Sequence, residues 1–308
     1  MKSRNTQGCS CSGSGPQAAG DPLADKVDAL ARQVRLLTDN LAEVMLAGDE
    51  NADDDRLALR HLGSLMIRII GGRPVAAGAF PECCLIGNSS AGGYLNEWFC
   101  TGTLIHPRAV VTARHCIFSG SGVPNPNSIA IGIEDEQNVM PQHIVRVLKA
   151  HTHPTEDVAV LILQKQAPVA PIARASSAEL EKARGIHLVG FGNDNPAGTM
   201  GFGIKREVAV NMNVIRRSPN EDLSEPEARL GFNSATEFVA GRKGSGKDSC
   251  NGDSGGPAYV GAGPDKRKLA GVTSRATDEA DDNCGDGGIY VRIDKVRDWV
   301  DKLIASLA

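Results

Sequence analysis

The ten residues from Asp248 to Pro257 constrain the fold of this chain more than any other segment. They read Asp-Ser-Cys-Asn-Gly-Asp-Ser-Gly-Gly-Pro, so that Ser254 lies between an aspartate and a Gly-Gly-Pro turn. Such a stretch is poorly suited to a helix or to the interior of a strand. Glycines on both sides of the serine let the backbone turn sharply and bring its N–H groups together, as an oxyanion-stabilising nucleophile site requires.

Two upstream segments supply partners for this serine. His115 lies in Val-Thr-Ala-Arg-His-Cys, and Asp157 enters the apolar run Val158–Leu163. The order His, Asp, Ser along the chain is that of chymotrypsin and differs from the orders in subtilisin and in α/β-hydrolases. On these motifs the chain resembles the chymotrypsin/trypsin-like serine proteases, from about Ile69 to the C-terminus.

The resemblance implies a role for each of these side chains. Ser254 would be the nucleophile, His115 the base that removes its proton, and Asp157 the group that orients the imidazole. The N–H groups of Gly252 and Ser254 would form the oxyanion hole. Ser274 occupies the place of a serine that hydrogen-bonds the aspartate in family members.

Other histidines compete for the role of base, but none has the Thr-Ala-x-His-Cys setting of His115. They are His106, His143, His151 and His153.

The resemblance also implies a specificity pocket. Asp248 would lie at its base and favour Arg or Lys before the scissile bond, with Ser249 as a small polar wall. Gly288 matches one of two glycines that line the pocket in the family, whereas Ala276 replaces the other and Arg275 replaces the usual tryptophan. We therefore expect a narrower entrance and a preference for acidic or polar residues upstream of the cut.

The segment Arg-Ile-Ile-Gly-Gly, which begins at Arg68, resembles the activation site of the family. Cleavage after Arg68 would free the amine of Ile69, which would pair with Asp253 beside the nucleophile and order the pocket. The chain is thus expected to be a zymogen able to activate itself. The alternative is an ordinary Gly-Gly linker.

The eight cysteines include four that match the family pattern. The resemblance pairs Cys100 with Cys116 and Cys250 with Cys284. Adjacent cysteines do not bridge each other without strain, so Cys83-Cys84 are expected to be buried free thiols.

The N-terminal region has a different organisation. Residues 1–20 are Ser/Gly-rich and read as a flexible tail, whose Cys9 and Cys11 are expected to be disordered thiols rather than a metal or lipid site. Apolar residues from Leu23 to Val44 alternate spacings of four and three, which predicts an amphipathic helix over residues 21–47. Residues 21–68 are therefore predicted to form a helical pro-segment or a short coiled coil. The pro-segment is expected to pack on its own protease domain or, alternatively, to mediate self-association or docking to a partner.

Past Ile69, short β-branched runs are separated by Gly, Pro and Asn turns, a pattern typical of a sandwich or barrel. The resemblance implies a mainly β domain over residues 69–308, with a double six-stranded antiparallel β-barrel. A terminal amphipathic helix is predicted over Asp294–Leu307.

Composition excludes several function classes. The net charge is −4 and no dense Lys/Arg stripe appears, so no nucleic-acid partner is expected. No apolar run approaches the ~20 residues of a membrane span. Gly241–Lys247 fits a phosphate-binding loop, but the Ser or Thr that should follow is Asp248. No cofactor or metal is implied, and the three carboxylates of Glu134–Glu136 are only weak evidence for a calcium site.

The sequence thus predicts a serine endopeptidase that cleaves protein or peptide substrates after Arg or Lys. The alternative is a catalytically idle protease fold recruited to a partner by its N-terminal helix. Two disulfides favour an oxidising compartment. The missing signal-peptide pattern instead favours a cytoplasmic or non-classically exported zymogen.

Overall fold

The computed structural model describes residues 71–90, 95–117, 126–195, 200–216, 221–282 and 284–307. The predicted tail (1–20), the pro-segment (21–68) and the predicted activation residues Arg68 and Ile69 lie outside these ranges. In the described ranges no helix is both long and apolar enough to cross a membrane.

The described chain is mainly β. Its first strands are β1 (Arg73–Pro74), β2 (Cys83–Ser89), β3 (Asn96–His106), β4 (Ala109–Thr112), β5 (Ser128–Ala130), β6 (Ile144–Thr152) and β7 (Ala159–Leu163). The later strands are β8 (Gly185–Gly190), β9 (Arg206–Val214), β10 (Glu237–Ala240), β11 (Pro257–Val260), β12 (Lys268–Ala276) and β13 (Gly288–Arg292). The α-helices are α1 (Ser177–Lys182), α2 (Glu225–Ala228) and α3 (Arg297–Ile304).

These strands form two antiparallel barrels. The first is closed in the order β2-β3-β4-β7-β6-β5. In the second, β9-β10-β13-β12-β11-β8 close through an additional β8–β9 pairing, and β1 adds to the outside of β9. The structure therefore confirms the predicted mainly β class with a double six-stranded barrel.

Strands β4 and β7 of the first barrel are buried on both faces, which explains their largely apolar sequences. Val160 and Ile162 of β7 enter a core shared by both barrels, whereas the alternate residues Leu161 and Leu163 fill the first barrel. Successive side chains of a strand point to opposite faces. Cys83 and Cys84 on β2 likewise enter different cores, and the prediction that both are buried free thiols is confirmed.

The terminal helix is present but shorter than predicted, because α3 begins at Arg297 and is followed by a 3₁₀ turn over Ala305–Leu307. Val300 of α3 is fully buried in the shared core. Burying one such side chain stabilises the fold by about 1.5–3 kcal/mol, so the packing of α3 holds the C-terminal segment against the shared core.

Four of the eight β-branched runs match a strand to within one residue at both ends, and the others differ more in length. Strand β4 coincides with the β-branched run Ala109–Thr112, whereas β5 ends at Ala130, before the end of the run Ile129–Ile133. The sequence did not point to β2, β3, β10 or β11. Strand β3 in particular contains Cys-Thr-Gly-Thr at its centre, a polar stretch that reads as a turn but is buried between neighbours.

Candidate active site

His115 and Asp157 meet at one edge of the first barrel. His115 lies in a 3₁₀ turn that follows β4, and Asp157 lies in the loop between β6 and β7. The ring Nδ1 is 2.9 Å from Asp157 Oδ2, and the backbone N–H of His115 donates to Oδ1 at 3.0 Å. Two bonds from one residue fix both carboxylate oxygens, which orients the imidazole with Nε2 directed away from Asp157.

Ser274 completes this arrangement from the second barrel. Its hydroxyl donates to Asp157 Oδ2 at 2.6 Å. Burial opposes the ionised form of Asp157, but hydrogen bonds from His115 and Ser274 outweigh it and lower the pKa of the carboxyl below its usual value. Asp157 is therefore a carboxylate at neutral pH and can stabilise a positive charge on the imidazole.

Ser254 reaches this edge through the loop over residues 241–256, which joins β10 to β11. Thr101 of β3 holds the loop: its N–H donates to Ser254 O at 3.0 Å and its hydroxyl donates to Gly252 O at 2.8 Å. Gly255 has φ +79°, and a Cβ there would lie 2.6 Å from Thr101 O, so only glycine allows this close approach.

The segments that carry the three predicted catalytic residues thus meet, since Cys116 Sγ lies 3.5 Å from Ser254 O, but not all contacts are made. Within the described ranges, no hydrogen bond joins the Ser254 hydroxyl to the His115 ring. Bonds between nucleophile and base are often long in unliganded sites and tighten when substrate binds. The competing histidines have local roles instead, since the rings of His106, His143 and His153 each accept a neighbouring backbone N–H.

The predicted oxyanion-hole groups are available. Among the described residues, the N–H groups of Gly252 and Ser254 have no acceptor within the protein, whereas those of Asp253, Gly255 and Gly256 all do. Gly252 has φ +96°, a conformation that L side chains rarely adopt. Two unused donors beside a serine hydroxyl are able to bind a negatively charged oxygen.

Asp248, the residue predicted to form the base of a specificity slot, is buried in the second barrel and is 1% exposed. Its Oδ1 accepts from Ser249 N at 2.7 Å and from Tyr290 OH at 2.9 Å. Burial raises the pKa of Asp248 to about 7 in spite of these donors. No cation pairs with it in the described part of the chain.

The residues around Asp248 are closely packed. Gly288 lies so close that a Cβ there would be 2.9 Å from Asp248 Oδ1 and 2.8 Å from Tyr290 OH. Ala276 lies opposite Gly288 in the pairing of β12 with β13. Tyr290 was not singled out by sequence reasoning. Its place on β13, a buried strand 42 residues from Asp248, carried no local signal.

Asp253 is a second buried carboxylate and is 3% exposed. It accepts from Gly192 N and Cys250 N, both at 2.8 Å. Burial raises the pKa of Asp253 to about 6, and these two donors only partly offset that effect. Its predicted partner, the amine of Ile69, lies outside the described residues.

Arg275 and Glu237 form an ion pair at the edge of the cleft. Arg275 Nη1 is 2.7 Å from Glu237 Oε1 and Nη2 is 3.0 Å from Oε2. The bond to Glu237 raises the pKa of Arg275 further above its already high value. Sequence reasoning named Arg275 but missed Glu237, which begins the unpredicted strand β10.

Two disulfides brace the site, and both predicted pairings are confirmed. Cys100–Cys116 joins β3 to the turn that carries His115, and Cys250–Cys284 holds the Ser254 loop. Among the described residues, the cluster with metal-ligand spacing is Cys100, His115 and Cys116. Its two sulfurs are bonded to each other, so these residues do not offer a metal site.

Known proteins support the resemblance inferred from the motifs. The sequence model of the trypsin family matches residues 69–300. Trypsin 5G1 of Aedes aegypti is 30% identical over 261 residues, which cover 79% of this chain and 86% of that protein. Serine protease snk of Drosophila melanogaster is 27% identical over 253 residues, covering 76% of this chain and 56% of snk.

The matched region includes both barrels, the cleft between them and the terminal helix as far as Val300. The chain therefore belongs to the trypsin family of serine proteases.

Proposed function

We propose that this protein is a serine endopeptidase that cleaves after Arg or Lys. Ser254 attacks the scissile carbonyl, His115 takes the serine proton and returns it to the leaving amine, and Asp157 stabilises the imidazolium between these steps. The N–H groups of Gly252 and Ser254 bind the oxyanion, each worth about 10²–10³-fold in rate. The arrangement that carries the proposal is His115 held by two bonds to Asp157 beside a serine flanked by unused N–H donors.

The buried carboxylate supports the preference for basic residues. Asp248 has donors on one oxygen only and no cationic partner among the described residues. A substrate guanidinium or ammonium entering the slot would pair with it, whereas a neutral side chain would leave a buried charge unpaired. We therefore assign the slot to the side chain before the scissile bond.

We further propose that the protein is made as a zymogen activated by cleavage after Arg68. Asp253 is buried with two N–H donors but without an ion-pair partner among the described residues. The family match begins at residue 69, immediately after Arg68. The new amine of Ile69 would neutralise Asp253 next to the nucleophile and hold the Ser254 loop in place. Arg68 itself fits the proposed specificity, so one active molecule would activate others.

One observation favours the second candidate, an idle protease fold that serves as a binding module. The Ser254 hydroxyl makes no hydrogen bond to His115 within the described ranges. Reaction with a fluorophosphonate probe separates the two functions, because the probe modifies a serine only when a base and an oxyanion hole activate it.

The experiment uses the chain cleaved after Arg68, with Ser254→Ala and the exposed Ser245→Ala as matched serine variants. We expect labelling of the parent and of Ser245→Ala, and none of Ser254→Ala. A peptide library digested in parallel should show Arg or Lys before nearly every cut. Unlabelled parent protein would favour the binding module instead.

A further inference from the structure

The ion pair between Arg275 and Glu237 extends into the proposed triad. Besides its two bonds to Glu237, Arg275 donates from Nη1 to the Ser274 hydroxyl oxygen at 3.2 Å and from Nη2 to Gly231 O at 3.0 Å. Its side chain is 43% exposed, while that of Glu237 is 5% exposed. The guanidinium thus caps a buried carboxylate and contacts Ser274, which bonds Asp157.

The number of hydrogens and lone pairs on the Ser274 hydroxyl determines which of its two hydrogen bonds it donates. A serine hydroxyl carries one hydrogen and two lone pairs. Because Arg275 donates to the oxygen, the hydrogen is left for Asp157, to which it donates at 2.6 Å. The register of β12 shifts between Thr273 and Arg275, and such a bulge redirects side chains. Ser274 and Arg275 are thereby both directed at the cleft.

We propose that Arg275 is a positioning residue: its charge, balanced by Glu237, holds the Ser274 hydroxyl on Asp157 and sets the pH range in which His115 acts as a base. This inference rests on the proposed triad chemistry. It assigns the guanidinium to the triad, and not to an acidic substrate residue upstream of the cut, because both of its terminal nitrogens are engaged by the protein.

The two charges of the pair act on the triad in opposite senses. A positive charge near Asp157 weakens the stabilisation of the imidazolium, and a negative charge strengthens it. When both are present they largely cancel at the distance of the imidazole. Removing Arg275 leaves the buried Glu237 negative, whereas removing the charge of Glu237 leaves an unbalanced cation.

Other charged groups face the same region and stay constant in the test. Arg114 donates to Pro154 O at 3.2 Å, and His153 accepts the N–H of Glu156 at 3.0 Å. Glu156 accepts from the Thr236 hydroxyl at 2.6 Å, and Asp278 acts on Arg275 through space. Because none of these is altered, differences between variants report the ion pair alone.

The test measures the pH dependence of kcat/KM with an arginine peptide. The variants are Arg275→Met, Glu237→Gln, the double variant and the conservative Arg275→Lys. Arg229→Met is the matched control, because Arg229 forms an exposed ion pair with Glu225 on the protein surface. The pH at which the His115 ring titrates is also followed by NMR in a Ser254→Ala background, so that the result does not depend on turnover.

We expect Arg275→Met to move the midpoint of the acidic limb up by about 0.5–1 pH unit, and Glu237→Gln to move it down by a similar amount. The double variant should return close to the parent, Arg275→Lys should lie between parent and Arg275→Met, and Arg229→Met should not move. Shifts of the same sign in both single variants, or no shift, would overturn the proposal.

Two results separate this inference from the proposed function. If the parent hydrolyses no peptide, the proposed function fails, and the NMR midpoints still decide whether the ion pair acts on His115. If Glu237→Gln does not fold, Arg275→Lys and the double variant still give the sign and size of the shift. A double variant that titrates like Arg275→Met would then contradict the role of Glu237.

Discussion

His115 and Asp157 in the first barrel are joined by hydrogen bonds to both carboxylate oxygens, whereas Asp248 and Asp253 in the second barrel have no ion-pair partner among the described residues. The direction of the pKa shifts follows from this difference. The pKa of Asp157 is lowered, because its hydrogen bonds outweigh burial. Burial raises the pKa of Asp248 to about 7 and that of Asp253 to about 6.

The comparison shows that the carboxylates in the two halves of the site are stabilised in different ways. The first-barrel half is completed by the protein's own hydrogen bonds and needs nothing further. The second-barrel half contains carboxylates that are costly to ionise, so under the proposed function it would be completed by cations from elsewhere: a basic substrate side chain at Asp248 and the new amine at Asp253. Substrate selection and activation would both depend on a cation that pairs with a buried carboxylate.

The largest effect is expected in the first-barrel half. Asp157→Asn keeps the shape but loses the charge and the acceptor that orient His115. We expect kcat to fall by about 10⁴-fold, the effect of losing the correct histidine tautomer in such triads. Asp265→Asn, a change at an exposed carboxylate, is the control and should leave kcat unchanged. Steady-state hydrolysis of an arginine peptide measures both, and a loss below tenfold would refute the role of Asp157.

Asp248→Asn tests the second-barrel half. We expect kcat/KM for arginine peptides to fall by about 10³–10⁴-fold, because the substrate cation loses its partner in a buried slot. The same change should raise the melting temperature at pH 8.

The sign of the stability change follows from the raised pKa. An Asp248 whose pKa is about 7 when folded and near 3.8 when unfolded stabilises the fold most below pH 3.8. That contribution, about 4 kcal/mol, is lost as the pH rises to 7. At pH 4 wild type and variant should therefore melt at similar temperatures. A variant that is less stable than wild type at pH 8 would contradict the raised pKa.

A smaller effect is expected from pH alone. Since protonated Asp248 does not attract a cation, KM for an arginine peptide should rise as the pH falls below about 7, by about tenfold per unit at the limit. In Asp248→Asn, KM should not change over the same range. Initial rates at several substrate concentrations between pH 5 and 8 separate this effect from the titration of His115. A flat KM in the parent protein would show that Asp248 stays ionised when the slot is empty.

Much of the fold and of the candidate site could be predicted because short sequence motifs indicate them. The Gly-Asp-Ser-Gly-Gly turn at Ser254 and the Ala-Arg-His-Cys turn at His115 are each formed by consecutive residues, so their conformations follow from the local sequence. The disulfides followed from the family pattern. Strand β3 could not be predicted, since its polar centre is explained by long-range bonds such as those from Thr101 to Gly252 O and Ser254 O.

Contacts made across strands were also missed. Tyr290 reaches Asp248 only because β13 passes beside Asp248, and Glu237 reaches Arg275 only because β10 pairs with β13, which in turn pairs with β12. Neither contact leaves a spacing in the sequence. Both are consequences of strand register, which short motifs do not encode.

The most direct test of whether the second-barrel half needs an added cation compares the uncut chain with the chain cleaved after Arg68. Hydrolysis of an arginine peptide should be about 10²–10³-fold faster after cleavage, the rate equivalent of relieving one unpaired buried carboxylate. A cleaved Ile69→Gly variant should stay well below the cleaved parent, because its new N-terminus packs less well beside Asp253. Equal activity of cut and uncut protein would contradict the view that the second-barrel half requires an added cation for activity.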